Sequence, residues 1–363
     1  MVIKVSPCSS EDAMYTQEHR SPFTEVKQYA NSKLSKVLFP SSGADKLLLL
    51  GQSTGRSLVL WRKEEDSSAD PFIAVSTANI SVDPIDACQV KNDLVGVSFV
   101  DGSVSFVSTK DDVVVVEKSL NSVHNGSEGR VISLFNNSSI LSGSSNGSLA
   151  SIDIEKGSAT TVFSGQGGLR SLCHVPSSSI VYTGHVTGQI AKWDLRENNK
   201  NTKTPVDVVV PSQDPLVPIT SLCIHPAQTN LICFGNGEGV VGVINEKANE
   251  RIQLHGSYIV TESEITQASF HPTCNDNLLV TTKQGSLLRL DASAAPTIRH
   301  DVGGRHNVWL GGSELANALR VEPLRTNAPF GLNSFDCKGN TVIASSYVGC
   351  VYVYEHLPFF TVV

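Results

Sequence analysis

The chain has 363 residues, with 28 Lys and Arg against 35 Asp and Glu, for a net charge of −7. That balance argues against the basic footprint on which non-specific nucleic-acid binding depends. The opening MVIKVSPCSSEDAM has no apolar core of a secretory leader, and no stretch reaches the ~18 apolar residues of a membrane span.

In chain order, an extension over residues 1–21 shows no hydrophobic period. Pro22–Tyr29 (PFTEVKQY) and Leu34–Phe39 (LSKVLF) then have strand character. From there one pattern recurs: an apolar run, a turn containing Gly, a second apolar run, then a polar residue. It occupies Lys46–Trp61, Asp93–Ser108, Ser139–Asp153, Ser179–Asp194, Asn230–Asn245, Asn277–Asp291 and Thr341–Glu355. The turn glycines are Gly55, Gly102, Gly147, Gly188, Gly239, Gly285 and Gly349, at steps of 47, 45, 41, 51, 46 and 64 residues. From the second instance on, an apolar residue stands five places after the glycine. A polar one follows it: Ser108, Asp153, Asp194, Asn245, Asp291 and Glu355.

Two apolar strands joined by a Gly turn form a hairpin, because Gly enters the left-handed region without steric cost. A lone hairpin is marginal in water. Runs that are apolar almost throughout, not alternating, must bury both faces against neighbours. A period of ~40–45 residues holds four short strands, which is the unit of a propeller blade. A further strand precedes each hairpin: Ile85–Val90, Val131–Phe135, Leu169–Pro176, Ser221–Pro226, Ser269–Pro272 and Leu332–Cys337. The predicted fold is therefore all-β, a seven-bladed propeller over residues 22–358. Pro22–Tyr29 supplies the outer strand of the last blade, in preference to the C-terminal tail, 359–363. Only the fourth instance ends in a literal Trp193-Asp194, which makes the repeat a degenerate WD40 type.

The long last step contains an insertion, Ala292–Phe330, with Gly303-Gly304 and Trp309-Leu310. Long insertions in compact folds are usually functional or disordered. An exposed Trp309, with Leu310, would be a candidate partner contact; the alternative is that Trp309 packs on the propeller. Arg196 is the third candidate contact, because Trp193-Asp194-Leu195-Arg196 fits the WDxR box of substrate receptors of cullin-type ubiquitin ligases.

No phosphate-binding loop, Rossmann fingerprint or nucleophile elbow is present, and GNGEG at Gly235–Gly239 is a blade turn. The His-Pro pairs at His225 and His271 lack zinc spacing and belong to turns. The eight cysteines contain no CxxC pair and suit small buried positions. The expectation is a non-enzymatic interaction platform with no cofactor, metal, nucleic acid or small-molecule substrate, and no membrane insertion.

Four segments carry a more specific likeness: Gly188–Asn198 (GQIAKWDLREN), Pro218–Gly239, Ile265–Asp291 and Trp309–Leu357. The last includes LRVEPL, LNSFDCKGN and VGCVYVYEHLPF, and QYANSKLSKVLFP at Gln28–Pro40 matches as an opening strand. In order and spacing these resemble the small WD40 nucleoporins of the Y-shaped outer-ring complex of the nuclear pore. The chain departs from them at Ile244-Asn245, where the family tends to have Trp-Asp. The resemblance implies a structural pore subunit at the nuclear envelope. It would dock on an α-solenoid scaffold nucleoporin of the short arm and support pore assembly and nucleocytoplasmic transport. It also implies a kinetochore association in mitosis. The competing classes are a cullin-ligase substrate receptor and a peptide-reading propeller.

Overall fold

The structure, a computed structural model, describes residues 24–41, 43–64, 71–165, 167–196, 204–212, 216–246, 251–295, 308–326 and 329–359, and the backbone of 2–4. Cys8, Gly303-Gly304, the rest of the N-terminal extension and residues 360–363 lie outside the described residues.

Seven sheets form the expected propeller. Blade 1 consists of β3 (Lys33–Leu38), β4 (Lys46–Gln52), β5 (Ser57–Lys63) and β6 (Phe72–Asn79). Blade 2 is β7 (Pro84–Lys91), β8 (Leu94–Phe99), β9 (Val104–Ser108) and β10 (Val115–Leu120), and blade 3 is β11 (Gly129–Asn136), β12 (Ser139–Ser144), β13 (Ser148–Asp153) and β14 (Ser158–Ser164). Blade 4 is β15 (Leu169–His174), β16 (Ile180–His185), β17 (Ile190–Asp194) and β18 (Asp207–Val209). Blade 5 is β19 (Ile219–Ile224), β20 (Leu231–Asn236), β21 (Val240–Asn245) and β22 (Gln253–Ile259). Blade 6 is β23 (Ile265–Phe270), β24 (Asn277–Thr282), β25 (Leu287–Asp291) and β26 (Arg320–Arg325). Blade 7 is β27 (Leu332–Lys338), β28 (Thr341–Ser346) and β29 (Cys350–Glu355), with β2 (Thr24–Tyr29) outside them. β2 pairs antiparallel with β29, from Thr24 opposite Glu355 to Tyr29 opposite Cys350, so the first and last parts of the ring share one sheet.

The second strand of every blade is buried along nearly its whole length, as in Leu47–Leu50 and Leu231–Asn236. This is why the runs do not alternate: each face meets a neighbouring blade. Full burial of one such Leu or Val contributes about 1.5–3 kcal/mol. The hairpin glycines take the role their alignment predicts. Gly102, Gly147, Gly188, Gly239, Gly285 and Gly349 all have φ between 78° and 91°. At Gly239 a Cβ would also stand 2.1 Å from the Thr261 carbonyl oxygen, so both conformation and space require glycine. Blade 1, whose repeat is one residue longer, turns instead through a 3-10 helix at Ser53–Gly55, with Ser53 at φ 63°.

Two boundaries differ from the sequence expectation. Arg320–Arg325, inside the stretch assigned to an insertion, is the outer strand of blade 6 and pairs with β25. The inserted part therefore ends before Arg320. Residues 2–4, assigned to the extension, form a strand, β1 (Val2–Lys4), on the outer edge of blade 5. Three residues leave no period to detect.

Candidate interaction surfaces

The seven innermost strands surround a central cavity of about 300 Å³. Each of them carries a β-bulge near its start, between Leu34 and Lys36, Pro84 and Asp86, Gly129 and Val131, Leu169 and Ser171, Ile219 and Ser221, Ile265 and Gln267, and Leu332 and Ser334. A bulge re-aims side chains, and here the residue just after it reaches toward the next blade. Asp86 Oδ2 accepts the Ile132 amide at 3.0 Å, Ser221 Oγ the Ala268 amide at 2.9 Å, Gln267 Oε1 the Phe335 amide at 3.1 Å, and Ser334 Oγ the Val37 amide at 3.0 Å. At the junction of blades 4 and 5, Ser171 Oγ donates to the Ile219 carbonyl at 3.0 Å. Val131 holds this position in blade 3 and packs with Leu169 and Leu172 instead. Buried backbone amides at blade junctions thus obtain side-chain partners where a sheet ladder cannot reach.

Charged groups facing the cavity are committed to one another. Lys36 Nζ lies 2.9 Å from Asp86 Oδ1, Arg130 pairs with Glu128 at 2.7 Å, and Glu264 takes both Arg170 at 3.0 Å and Lys283 at 2.9 Å. Burial opposes the charge on Lys36, but Asp86 outweighs it and the ammonium pKa is raised. Asp336, where burial raises the carboxyl pKa, accepts the Phe39 amide at 2.9 Å. Among the described residues no group of three or more His, Cys, Asp or Glu is placed to hold a metal ion. His225 and His271 cap the turns that follow them. His225 Nδ1 accepts the Gln228 amide at 3.1 Å, and His271 Nδ1 the Cys274 amide at 2.9 Å. Cys173, Cys233 and Cys350 are buried, and Cys88, Cys223, Cys274 and Cys337 are partly so, all as free thiols.

Blade 4 shows what the Trp-Asp pair does. Trp193 stacks on Phe163 with ring centroids 3.7 Å apart, and its indole N–H donates to Thr183 Oγ1 at 2.8 Å. That hydroxyl also contacts His185 Nε2 at 2.9 Å. Asp194 closes the turn after the strand. Its Oδ1 accepts from Ser179 Oγ at 2.8 Å and from the Arg196 amide at 3.0 Å, and the Arg196 guanidinium reaches Oδ2 at 2.8 Å. Arg196 holds the Asp194 carboxyl well below the usual carboxylate range. Two other residues at this position do similar work: Asp153 Oδ1 caps the Lys156 amide, and Asp291 Oδ1 the Ser293 amide.

The three candidate contacts therefore separate. Arg196 has a side chain 77% exposed, on a groove of about 800 Å³ lined by Phe135, Asn137, His174 and Pro176 between blades 3 and 4. Trp309 is 0% exposed, and Leu310 is buried with it. Trp309 meets Phe270 edge-on with centroids 5.3 Å apart and donates its N–H to the Asn275 carbonyl at 3.0 Å. Instead of presenting an exposed anchor, it fills the seam between blades 5 and 6, together with Leu315 and Leu319. The alternative, packing on the propeller, is what the structure shows, because a large apolar ring next to an open blade seam gains more from burial there than from exposure.

Sequence reasoning missed the junction residues Asp86, Ser171, Ser221, Gln267 and Ser334. The signal was present: LRSLCH, ITSLCI, ITQASF and LNSFDC align with a polar residue third, at one position per inner strand.

No protein-family model matches the chain. Among curated proteins it is similar to nucleoporin Nup43 of Homo sapiens, 20% identical over 200 residues covering 49% of this chain and 51% of that protein. The Mus musculus Nup43 is 22% identical over the same shares. The chain spans about half the length of the curated relatives it matches. Repeat, ring and sequence likeness agree: this chain is a seven-bladed β-propeller similar to the nucleoporin Nup43.

Proposed function

We propose that the chain is a non-enzymatic structural subunit of the outer-ring Y complex of the nuclear pore. In this reading it docks on an α-solenoid scaffold nucleoporin of the short arm, resides at the nuclear envelope and supports pore assembly and nucleocytoplasmic transport. A mitotic kinetochore association belongs to the same reading. The observation that carries it is the similarity to Nup43 of two mammals on a chain that folds as a closed propeller. The physical case is consistent with binding. The charged groups around the central cavity are paired with one another, and a rigid ring loses little ordering entropy on docking. The test is affinity purification of the tagged chain at mild salt, with quantitative mass spectrometry. Outer-ring nucleoporins at near-equal abundance support the reading; their absence, with another assembly in their place, removes it.

A second reading, a substrate receptor of a cullin-type ubiquitin ligase, is favoured by one observation: Arg196 is exposed beside a groove, as a WDxR contact must be. Its guanidinium is already engaged by Asp194. An Arg196→Glu chain that captures the ligase adaptor as well as the parent does would rule out direct use of the box.

A further inference from the structure

Among the described residues, blade 5 has five strands, and each of the other six sheets has four. The fifth, β1, runs parallel to β22, with Val2 opposite Ser257, Ile3 opposite Tyr258 and Lys4 opposite Ile259. The blade is complete without it, and the ring is closed elsewhere, by β2.

The phase of the ladder defines what β1 uses. The Val260 amide donates to the Gly239 carbonyl at 3.1 Å, and Val241 pairs with Tyr258. Backbone groups of Tyr258 and Val260 therefore point inward to β21, and those of Ser257 and Ile259 point outward. β1 lies along this outward-facing pair. It covers the last three residues of a seven-residue strand, and Gln253–Gly256 carry no further strand on their outer side among the described residues.

A second wall stands beside this edge. The insertion between β25 and β26 forms a short helix, α1 (Ser313–Ala318), which lies against β1. It is fastened to β22 by that strand's own side chains. Tyr258 Oη donates to the Gly312 carbonyl at 3.2 Å, and His255 Nε2 contacts the Leu310 carbonyl at 2.5 Å. Leu315 and Trp309 anchor the same segment in the seam below. The result is a lane with a β edge as one side and a helix as the other.

We propose that this lane is a strand-addition site for an extended segment of a partner protein running parallel to β22, with Val2–Lys4 as its displaceable occupant in cis. The resident strand is short: three paired residues are fewer than an average strand, and tethering supplies only a millimolar-range effective concentration. A partner segment of about seven residues would pair beyond Ser257–Ile259 toward the bulge at His255, gaining main-chain hydrogen bonds that the resident strand does not make. Its chemistry is that of an added strand: extended, β-branched at alternate positions and free of proline. This site does not depend on the pore reading.

The test uses two fluorescent peptides, the N-terminal MVIKV and a longer probe in which VIK is preceded by Thr-Val-Thr-Val. Each is titrated by anisotropy into the full chain and into a chain lacking residues 1–8. The truncated chain should melt at the same temperature as the parent. It should bind both probes, the longer about tenfold tighter, and the full chain should bind each about tenfold more weakly. Ile259→Pro in the truncated chain, which removes one outward amide and leaves the β21 ladder intact, should abolish binding. Equal binding to truncated and full chains, or no binding to the truncated chain, overturns the proposal. So does concentration-dependent dimerisation of the full chain without uptake of the longer probe, because the occupant would then be a second copy's N-terminus.

Discussion

Blades 5 and 6 and blades 2 to 4 follow one four-stranded plan, yet their rims are finished differently. At blades 5 and 6 the outer edge is overlaid: β1 extends the sheet, and residues 308–319 fold into the seam with Trp309, Leu310 and Leu315 buried. At blades 2 and 4 the rim is left uncovered by the described residues. Val113, Val115 and Val116 are exposed on one, and Val206, Val208 and Val210 on the other, where the outer strand is only three residues long. The repeat fixes the inner three strands, and segments outside the repeat decide what each rim becomes. Apolar residues buried at a rim serve stability, and those left in water are available for apolar contact.

The strongest way to break this contrast is Trp309→Ala. If the insertion is part of the core, the loss should be about 3–5 kcal/mol, the range for removing a buried Trp. Chemical denaturation would show it as a lower midpoint. A loss below about 1 kcal/mol would mean the insertion rests loosely on the surface, and the two rims would then be alike.

Acid should act next most strongly, and it can be divided between the regions. Burial lowers the pKa of His124 to about 4 and that of His225 to about 4, from an ordinary value of 6.5. The unfolded chain then binds more protons than the folded one between pH 6.5 and 4. The stability these residues contribute is fully present above pH 6.5 and is lost as pH falls toward 4. The expected loss is on the order of 2 kcal/mol for each histidine, read from denaturation midpoints at pH 7 and 4.5. His124 lies between Ser142 and Ser148 of blade 3, and His225 caps a turn in blade 5. His225→Gln should flatten the blade 5 share and His124→Gln the blade 3 share. A profile unchanged by both would place the acid sensitivity in the carboxylates.

A smaller effect belongs to blade 4. Trp193→Phe keeps the stack on Phe163 and removes the N–H that donates to Thr183. The expected cost is about 1–2 kcal/mol, the range for one buried hydrogen bond with a partner left behind. Thr183→Val in the same background should then cost about 1 kcal/mol more, because the buried His185 Nε2 loses its partner as well.

Much of the ring was legible in the sequence because its constraint is local and repeated. Six of the seven turn glycines have positive φ where the alignment places them, and Asp153, Asp194 and Asp291, after the third strands of blades 3, 4 and 6, cap turns. Trp309 was not legible in the same way. Whether a Trp in an insertion faces solvent or a seam depends on how blades 5 and 6 meet, which no local pattern encodes. β1 was hidden for a related reason, since a three-residue strand added in parallel is specified by the edge that receives it. Arg196 was legible as a motif, and its exposure and its hold on Asp194 follow from the turn that the Asp caps.

The finest test applies one chemical change to the outer strands of both regions. Val208 of β18 is exposed, and Val321 of β26 is buried against Leu290 and Leu319. Val→Thr preserves shape and β-branching and exchanges a methyl for a hydroxyl. At Val321 the hydroxyl must leave water without an assured partner, at a cost of about 1–3 kcal/mol. At Val208 it stays in water, and the change should fall within about 0.5 kcal/mol. The difference between the two denaturation midpoints therefore measures how far the rims differ, with strand propensity cancelled. If Val208→Thr costs as much as Val321→Thr, the valines of blade 4 are packed in solution and the bare rim does not exist. If only Val321→Thr is costly, the exposed valines contribute little to folding, and binding assays can be run on rim variants without a stability correction.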